Sequence, residues 1–163
     1  MTLSQNAVTT MRVDTTQSTA SFAVKKLGFT VKGTVPIRDG RVELDESGAI
    51  IAISGVADLS AIDTGNKRRD IDLRKKNLLD LDAHPAACFE AKTVWPTEDG
   101  LRVSGRLDAR GASAKVVFNV VREGNVFHGT CVFDRRELGV RAPRILIGHD
   151  ITMTITAALV REN

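Results

Sequence analysis

The chain has 163 residues and a mass of 17.6 kDa, which suits one domain with a single core. Its content of 42% hydrophobic and 26% charged residues is typical of a water-soluble globular protein, and no apolar run is long enough to cross a bilayer. Two cysteines are too few for a disulfide framework, and a net charge of +3 is too modest to indicate a partner by itself.

The N-terminal segment MTLSQNAVTTMRVD lacks the basic opening and the continuous apolar block of a secretory signal. We therefore expect a cytoplasmic protein. Residues 1–10 are a candidate disordered segment, and residues 1–163 are predicted to form a single domain.

Alternation of apolar and polar residues predicts antiparallel strands that bury one face. Gly-containing turns at Asp39-Gly40, Ser47-Gly48, Asp99-Gly100, Arg110-Gly111 and Gly124 separate these runs, as hairpins require. The predicted strands lie near 19–25, 30–45 (with a break at Pro36), 49–58, 87–95, 100–109, 113–122, 126–134 and 149–160.

Two segments, AIIAISGVADL and AKVVFNVV, are apolar on both faces over part of their length. A closed barrel of about eight strands has an interior that is either filled by side chains or large enough for one small ligand. The sequence leaves both options open, although six Phe, one Trp and no Tyr favour aliphatic walls. The fold class predicted is all-β, an eight-stranded antiparallel barrel.

The inward face of this barrel supplies the candidate lining of an apolar cavity, and each member is equally compatible with plain core packing. The predicted lining residues are Phe22, Val24, Phe89, Ala91, Trp95, Val103, Val117, Phe133, Ile151, Met153 and Ile155. Cys88 and Cys131 also lie in predicted strands, where buried free thiols are common.

A polar, basic insert, IDTGNKRRDIDLRKKNLLDLDAHP, separates two strands by almost thirty residues. Connections this long are usually functional or carry their own structure. We predict a short helix within about residues 64–82, with Asp63, Thr64 or Asn66 as its N-cap and an ion pair between Asp70 and Arg74. The alternative is that its charges form only a solvated face.

Two other classes of function were weighed. His84 and Cys88 are four residues apart, but Pro85 lies between them, so a metal site there is disfavoured. We predict no catalytic residue, no metal site and no cofactor, with a small-barrel enzyme acting on a hydrophobic substrate as the alternative. Anion or nucleic-acid binding through the basic insert is the second alternative, and aspartates interleaved with the cations disfavour nucleic acid.

The stretch AIDTGNKRRDIDLRKKNLLDLDAHP resembles the signature of the YceI family. STASFAVKKLGFTVKGTV is similar to the opening strands of that family, GRLDARGASAKVVF to its strand-turn-strand, and FDRRELGVR to a late strand end. The matching signature positions are Asp63, Thr64, Gly65, Asn66, Arg69, Asp70, Leu73, Arg74, Asp80 and Pro85. Leu78-Leu79 and His84 depart from the aromatic residues that the family usually has there.

The resemblance implies a lipocalin-like barrel with a helical insertion that holds a long-chain amphiphilic lipid, such as a polyprenyl phosphate or an isoprenoid quinone. Carriage or storage without catalysis is the expected function. Asn66, Arg69, Asp70 and Arg74 are the candidate head-group residues at the mouth. The expected partner is a hydrophobic lipid and not nucleic acid, while transient membrane contact and homodimerisation stay open. Many members of the family carry an export signal, which this N-terminus does not resemble.

Overall fold

The structure, a computed structural model, describes residues 8–76, 78–140 and 147–161. The helix α1 spans Lys67–Leu73, and 3₁₀ turns cover Leu59–Ala61 and Arg135–Leu138. The strands in these residues are β1 Thr9–Val13, β2 Thr19–Lys26, β3 Phe29–Val35, β4 Ile37–Leu44, β5 Ile50–Asp58, β6 Ala86–Pro96, β7 Leu101–Ala109, β8 Ala112–Glu123, β9 Val126–Asp134 and β10 Ile147–Arg161.

The strands form one antiparallel sheet that closes into a barrel. The closed ring has eight strands in the order β1, β4, β5, β6, β7, β8, β9 and β10, and pairing of β1 with β10 completes it. The early part of β10 pairs instead with β2, which continues the sheet into β3. The predicted all-β, eight-stranded antiparallel barrel is confirmed.

The break predicted at Pro36 separates β3 from β4, because proline has no N–H to donate to a ladder. The carbonyl of Pro36 instead accepts a hydrogen bond from Asp58 N at 2.9 Å. As a result, β3 pairs with β2, while β4 pairs with β1 and β5.

Two predictions about chain organisation need correction. Thr9 and Thr10 lie in β1, which pairs with both β4 and β10, so the candidate disordered segment does not extend to residue 10. Residues 1–7 lie outside the described residues. Asp39-Gly40 is also no turn, since Gly40 lies inside β4, where a β carbon would come within 2.6 Å of Val13 Cγ2. Glycine permits this close approach of strand and side chain.

The two ends of the barrel differ. At the insert end, the insert (residues 62–85) lies beside the β2–β3 hairpin and the β7–β8 turn, with Thr34 of β3 bridged to Asp63 and Gly111 against His84. At the far end lie the β4–β5, β6–β7 and β8–β9 turns. One core cluster fills the space among β6, β7, β8 and β9, and a second lies beneath the insert around Leu81, which is 1% exposed. Among the described residues, no helix is long and apolar enough to span a membrane.

Candidate functional site

A cavity of about 330 Å³ runs inside the barrel, with walls from all ten strands and from the insert. This volume lies at the small end of the range of ligand pockets. Almost all of the surface is apolar. In the described part of the chain, the lining residues that are neither apolar nor glycine are Ser21, Asp39, Arg41, Ser54 and Arg135.

Most of the predicted lining residues reach this cavity. Ala91 is buried in the core cluster at 2% exposure but is not part of the cavity wall. Contact of any of these side chains with a ligand stays a prediction. The predicted residues on the wall are Phe22, Val24, Phe89, Val103, Phe133, Ile151, Met153 and Ile155.

The predicted inward placement of Trp95 and Val117 is wrong: their exposed fractions are 38% and 39%, and neither lines the cavity. The register of β6 against β7 shifts between Ala91 and Thr93, and such a bulge reverses the faces of the residues that follow it. Val94 is therefore the residue packed against the core.

The wrong placement of Val117 in β8 has a different cause. Apolar residues occupy both faces of this strand, so their alternation does not show which face points inward. The buried positions are Ala114, Val116 and Phe118, which leaves Val117 on the outer surface. Phe118 and Val120 on the cavity wall were missed for the same reason.

Side chains fill the lumen unevenly. Phe89 packs edge-to-face with Phe118, with ring centroids 5.2 Å apart. A β carbon at Gly105 would lie 2.7 Å from the Phe89 ring, so this ring lies directly against the backbone of β7. By contrast, a β carbon at Gly55 would meet only Asp39 O within 4 Å, at 3.7 Å. The barrel is thus filled on one side and hollow beside Gly55.

The insert roofs the insert end of the cavity. Leu73, from α1, and Leu78 and Leu79, from the turns that follow, lie on the cavity wall. The short helix predicted within about residues 64–82 is α1, which ends at Leu73. The chain then folds back, as Leu79 N donates to Leu73 O and Leu81 N donates to Arg74 O.

A hydrogen-bond network ties the start of the insert together. The Thr64 hydroxyl donates to Asp70 Oδ1 and accepts from Arg69 Nε at 2.9 Å, while Arg69 Nη2 donates to Thr64 O at 2.8 Å. Asn66 is the N-cap of α1, and its side chain accepts from Arg69 N. Asp63 Oδ1 accepts from Gly65 N, and Gly65 has a positive φ of 77° that favours glycine.

This network changes the role of three predicted mouth residues. Asn66, Arg69 and Asp70 make contacts that fix the fold of the insert, and none of them lines the apolar cavity. Arg69 instead borders a cleft on the outside of the barrel, together with Lys26 and Lys32. Recognition of a head group by these residues stays a prediction.

Two arginines hold the insert in place. Arg74 Nη1 donates to Ser60 O at 3.2 Å, and Arg74 Nη2 lies 3.6 Å from Asp82 Oδ1. Asp82, and not Asp70, is thus its carboxylate partner here. Arg110, in the β7–β8 turn, donates from Nη2 to Lys76 O at 2.6 Å. Arg74 does not line the cavity, so its contact with a head group stays a prediction.

Sequence reasoning missed Arg135, which is 3% exposed and lies on the cavity wall. Among its partners are the carbonyls of Gly148 at 2.9 Å and Val140 at 2.7 Å. Hydrogen bonds of this kind compensate a buried cation. The FDRRELGVR stretch contains the residue, but residue type alone does not show that the folded chain places the carbonyls of Val140 and Gly148 around its guanidinium.

The remaining candidates are placed away from the cavity. His84 Nε2 lies 4.0 Å from Asp80 Oδ2, and its ring packs against Gly111. Cys88 is exposed on β6, contrary to the prediction that it is buried, whereas Cys131 is buried as predicted. Burial raises the pKa of the Cys131 thiol to about 12.

Comparison with known proteins gives a match to the model of the YceI-like domain over residues 11–159. The chain belongs to the YceI family. A relative, UPF0312 protein YE1254 of Yersinia enterocolitica, is 30% identical over 97 residues, which is 58% of this chain. The match spans 50% of that relative's length.

Solved structures show the same barrel. Burkholderia cenocepacia BcnA superposes with a TM-score of 0.79 at 19% identity, covering 91% of this chain and 99% of that chain. A polyisoprenoid binding domain from Saccharophagus degradans, implicated in plant cell wall breakdown, gives 0.69 at 16% identity over 93% and 98%. The Campylobacter jejuni YCEI protein gives 0.64 at 18% identity over 82% and 85%. At these identities, the three likenesses show the fold of this YceI-family chain.

Proposed function

We propose that this YceI-family protein binds a long-chain amphiphilic lipid in its barrel lumen and carries or stores it without chemical change. The observation that carries the proposal is the apolar cavity, walled by all ten strands and roofed by leucines of the insert. The polyisoprenoid binding domain from Saccharophagus degradans, which has the same fold, supports an isoprenoid ligand. A polyprenyl phosphate or an isoprenoid quinone is the class that we propose.

The energetics of such a site come from burial and not from directional contacts. Each buried methylene contributes about 0.8 kcal/mol, so even part of an isoprenoid chain supplies a large driving force. The wall offers few polar groups, so it distinguishes poorly between apolar chains of similar width. We therefore expect a range of chain types. With a cavity of about 330 Å³, short chains are enclosed and the ends of longer chains project outward.

The experiment is native mass spectrometry of the purified protein, followed by solvent extraction and identification of the bound lipid. Replacing Phe89 and Met153 together by Glu places two carboxylates on the cavity wall, so lipid retention is expected to be lost. Unchanged retention in the double variant contradicts a binding site in the lumen. Incubation with the extracted lipid separates carriage from catalysis, because a carrier returns the lipid chemically unchanged.

A matched control uses residues that alternate onto the outer surface of the same barrel. The double variant Trp95→Glu and Val117→Glu adds the same charge, but both side chains are exposed there. It is expected to keep its lipid. If Phe89→Glu with Met153→Glu fails to fold, Gly55→Leu tests the same cavity with an apolar side chain, since Gly55 lies on its wall.

A further inference from the structure

The turn between β2 and β3 carries two large apolar side chains into solvent. Leu27 is 59% exposed and Phe29 is 77% exposed, the highest value for a large apolar residue in the described chain. Neither residue packs in a core cluster. Scattered apolar residues are common on protein surfaces, but two at one projecting turn form a patch that indicates an interaction surface.

The backbone of this turn gives a second reason to assign the patch a role. Leu27 and Gly28 have positive φ angles of 51° and 83°. Two-residue hairpin turns of this kind favour Asn, Asp or Gly at the first position, because a larger side chain is strained in the left-handed region. Burial does not offset the strain of Leu27, so neither local conformation nor core packing explains a leucine here.

Positive charge surrounds the apolar residues of the turn. Lys25 and Lys26 precede it, Lys32 follows it, and residues 15–38 contain no Asp or Glu. Arg69 lies across the cleft of about 420 Å³ that Lys26, Leu27, Phe29 and Lys32 also border. The nearest acid on α1, Asp70, is engaged by the Thr64 hydroxyl. An apolar tip ringed by cations complements a layer that is apolar inside and anionic at its surface.

We propose that this turn, residues 27–29, docks the barrel onto a bilayer that contains anionic lipids. Leu27 and Phe29 enter the boundary between head groups and acyl chains, while Lys25, Lys26 and Lys32 meet the phosphates. The turn extends roughly 10 Å beyond Val24, the cavity-lining residue of β2 nearest to it. Docking therefore brings the insert end of the cavity to the membrane, a purpose that rests on the proposed lipid-binding function.

The test is co-sedimentation of the full chain with vesicles of phosphatidylcholine alone or of phosphatidylcholine mixed with phosphatidylglycerol. Leu27→Asn with Phe29→Thr is expected to weaken binding to the mixed vesicles at least tenfold, because two inserted apolar side chains are lost. Leu27→Asn also suits the turn, so the fold is expected to survive. Lys25→Gln with Lys32→Gln is expected to weaken binding to the mixed vesicles about fivefold per lysine and to leave binding to neutral vesicles unchanged.

Control variants carry comparable changes elsewhere on the barrel. Val121→Thr removes an exposed valine near the far end, and Lys92→Gln with Arg102→Gln removes two exposed cations. Both controls are expected to bind like the parent protein.

Several outcomes overturn the proposal: no binding of the parent protein to anionic vesicles, equal binding by the Leu27 and Phe29 variant, or equal losses in the controls. Among the described strands, β3 pairs only with β2, so a second copy of the chain that adds to its other edge is the competing occupant. Conversion of a dimer to a monomer by Leu27→Asn with Phe29→Thr, with vesicle binding intact, identifies that occupant instead.

Native mass spectrometry, which reports lipid in the cavity, and co-sedimentation, which reports docking, together separate the two proposals. Lipid in the cavity without docking refutes the membrane surface alone, and docking without lipid in the cavity refutes the carrier function alone.

Discussion

Gly55 lies on the hollow side of the barrel, so a large side chain there is expected to stabilise the lipid-free protein. Its backbone has no positive φ, and the space in front of it holds only Asp39 O at 3.7 Å. The β carbon of Gly55→Leu therefore fits without displacing a neighbour, and the rest of the side chain is expected to enter the cavity. In a barrel packed solid with side chains, the same change overpacks the core and destabilises it by about 1–3 kcal/mol. The sign of the effect thus reports whether the lumen is open.

The expected magnitude follows from three contributions. Burying a leucine side chain stabilises by about 1.5–3 kcal/mol, and removing glycine from a strand adds about 0.5–1 kcal/mol. Loss of rotamer freedom costs about 0.5–1 kcal/mol. The free energy of unfolding is therefore expected to rise by about 1–3.5 kcal/mol. For a domain of this size, each kcal/mol raises the melting temperature by about 2–4 °C.

The assay is thermal unfolding of the delipidated variant by circular dichroism, together with lipid content by native mass spectrometry. A raised melting temperature with reduced lipid content is expected. Gly105→Ala is the matched control, because its β carbon would lie 2.5 Å from Glu90 O and 2.7 Å from the Phe89 ring. That smaller change is expected to destabilise. A lowered melting temperature for Gly55→Leu would falsify the open lumen.

Two further predictions concern the insert and the cysteines. Thr64→Val removes the hydroxyl that hydrogen-bonds to both Asp70 and Arg69. It is expected to lower the free energy of unfolding by about 1–3 kcal/mol and to speed amide hydrogen exchange in α1. Thr64→Ser keeps the hydroxyl and serves as the control, and equal exchange in the two variants contradicts the network. Because burial raises the pKa of the Cys131 thiol to about 12, this thiol is expected to stay neutral at pH 8. Mass spectrometry after iodoacetamide treatment of the folded protein is therefore expected to find label on exposed Cys88 alone, with Cys131 labelled only after unfolding. Prompt labelling of Cys131 in the folded protein contradicts its burial.

Much of the barrel could be predicted because its strands alternate and its turns contain glycine. The errors fall where alternation stops being informative. A bulge between Ala91 and Thr93 adds one residue to β6 and sends Trp95 outward, and no residue type marks the bulge. Val117 lies in a run that is apolar on both faces, so the sequence does not show which face of β8 packs against the rest of the barrel.

The site was less predictable because the type of a charged residue does not show which partners it meets in the folded chain. The basic composition of the insert favoured a binding role for Arg69, but this side chain bonds to Thr64, five positions earlier in the chain. Arg135 received no role, although it is the buried cation of the cavity wall. Its partners Val140 and Gly148 come from the connection that follows β9 and from β10, which only the folded chain brings around the guanidinium.

The pairing of β1 with β10 also affects how the protein is made. Met11 and Arg161, partners in that ladder, are 150 positions apart in the chain. Contacts between such distant residues form late, because closing a long loop costs entropy before any contact is gained. Before β10 is synthesised, the sheet has two unpaired edges and an exposed apolar inner surface, and both of these favour aggregation. Under the proposed function, a lipid can be enclosed only after translation has supplied β10, so loading is expected to be post-translational.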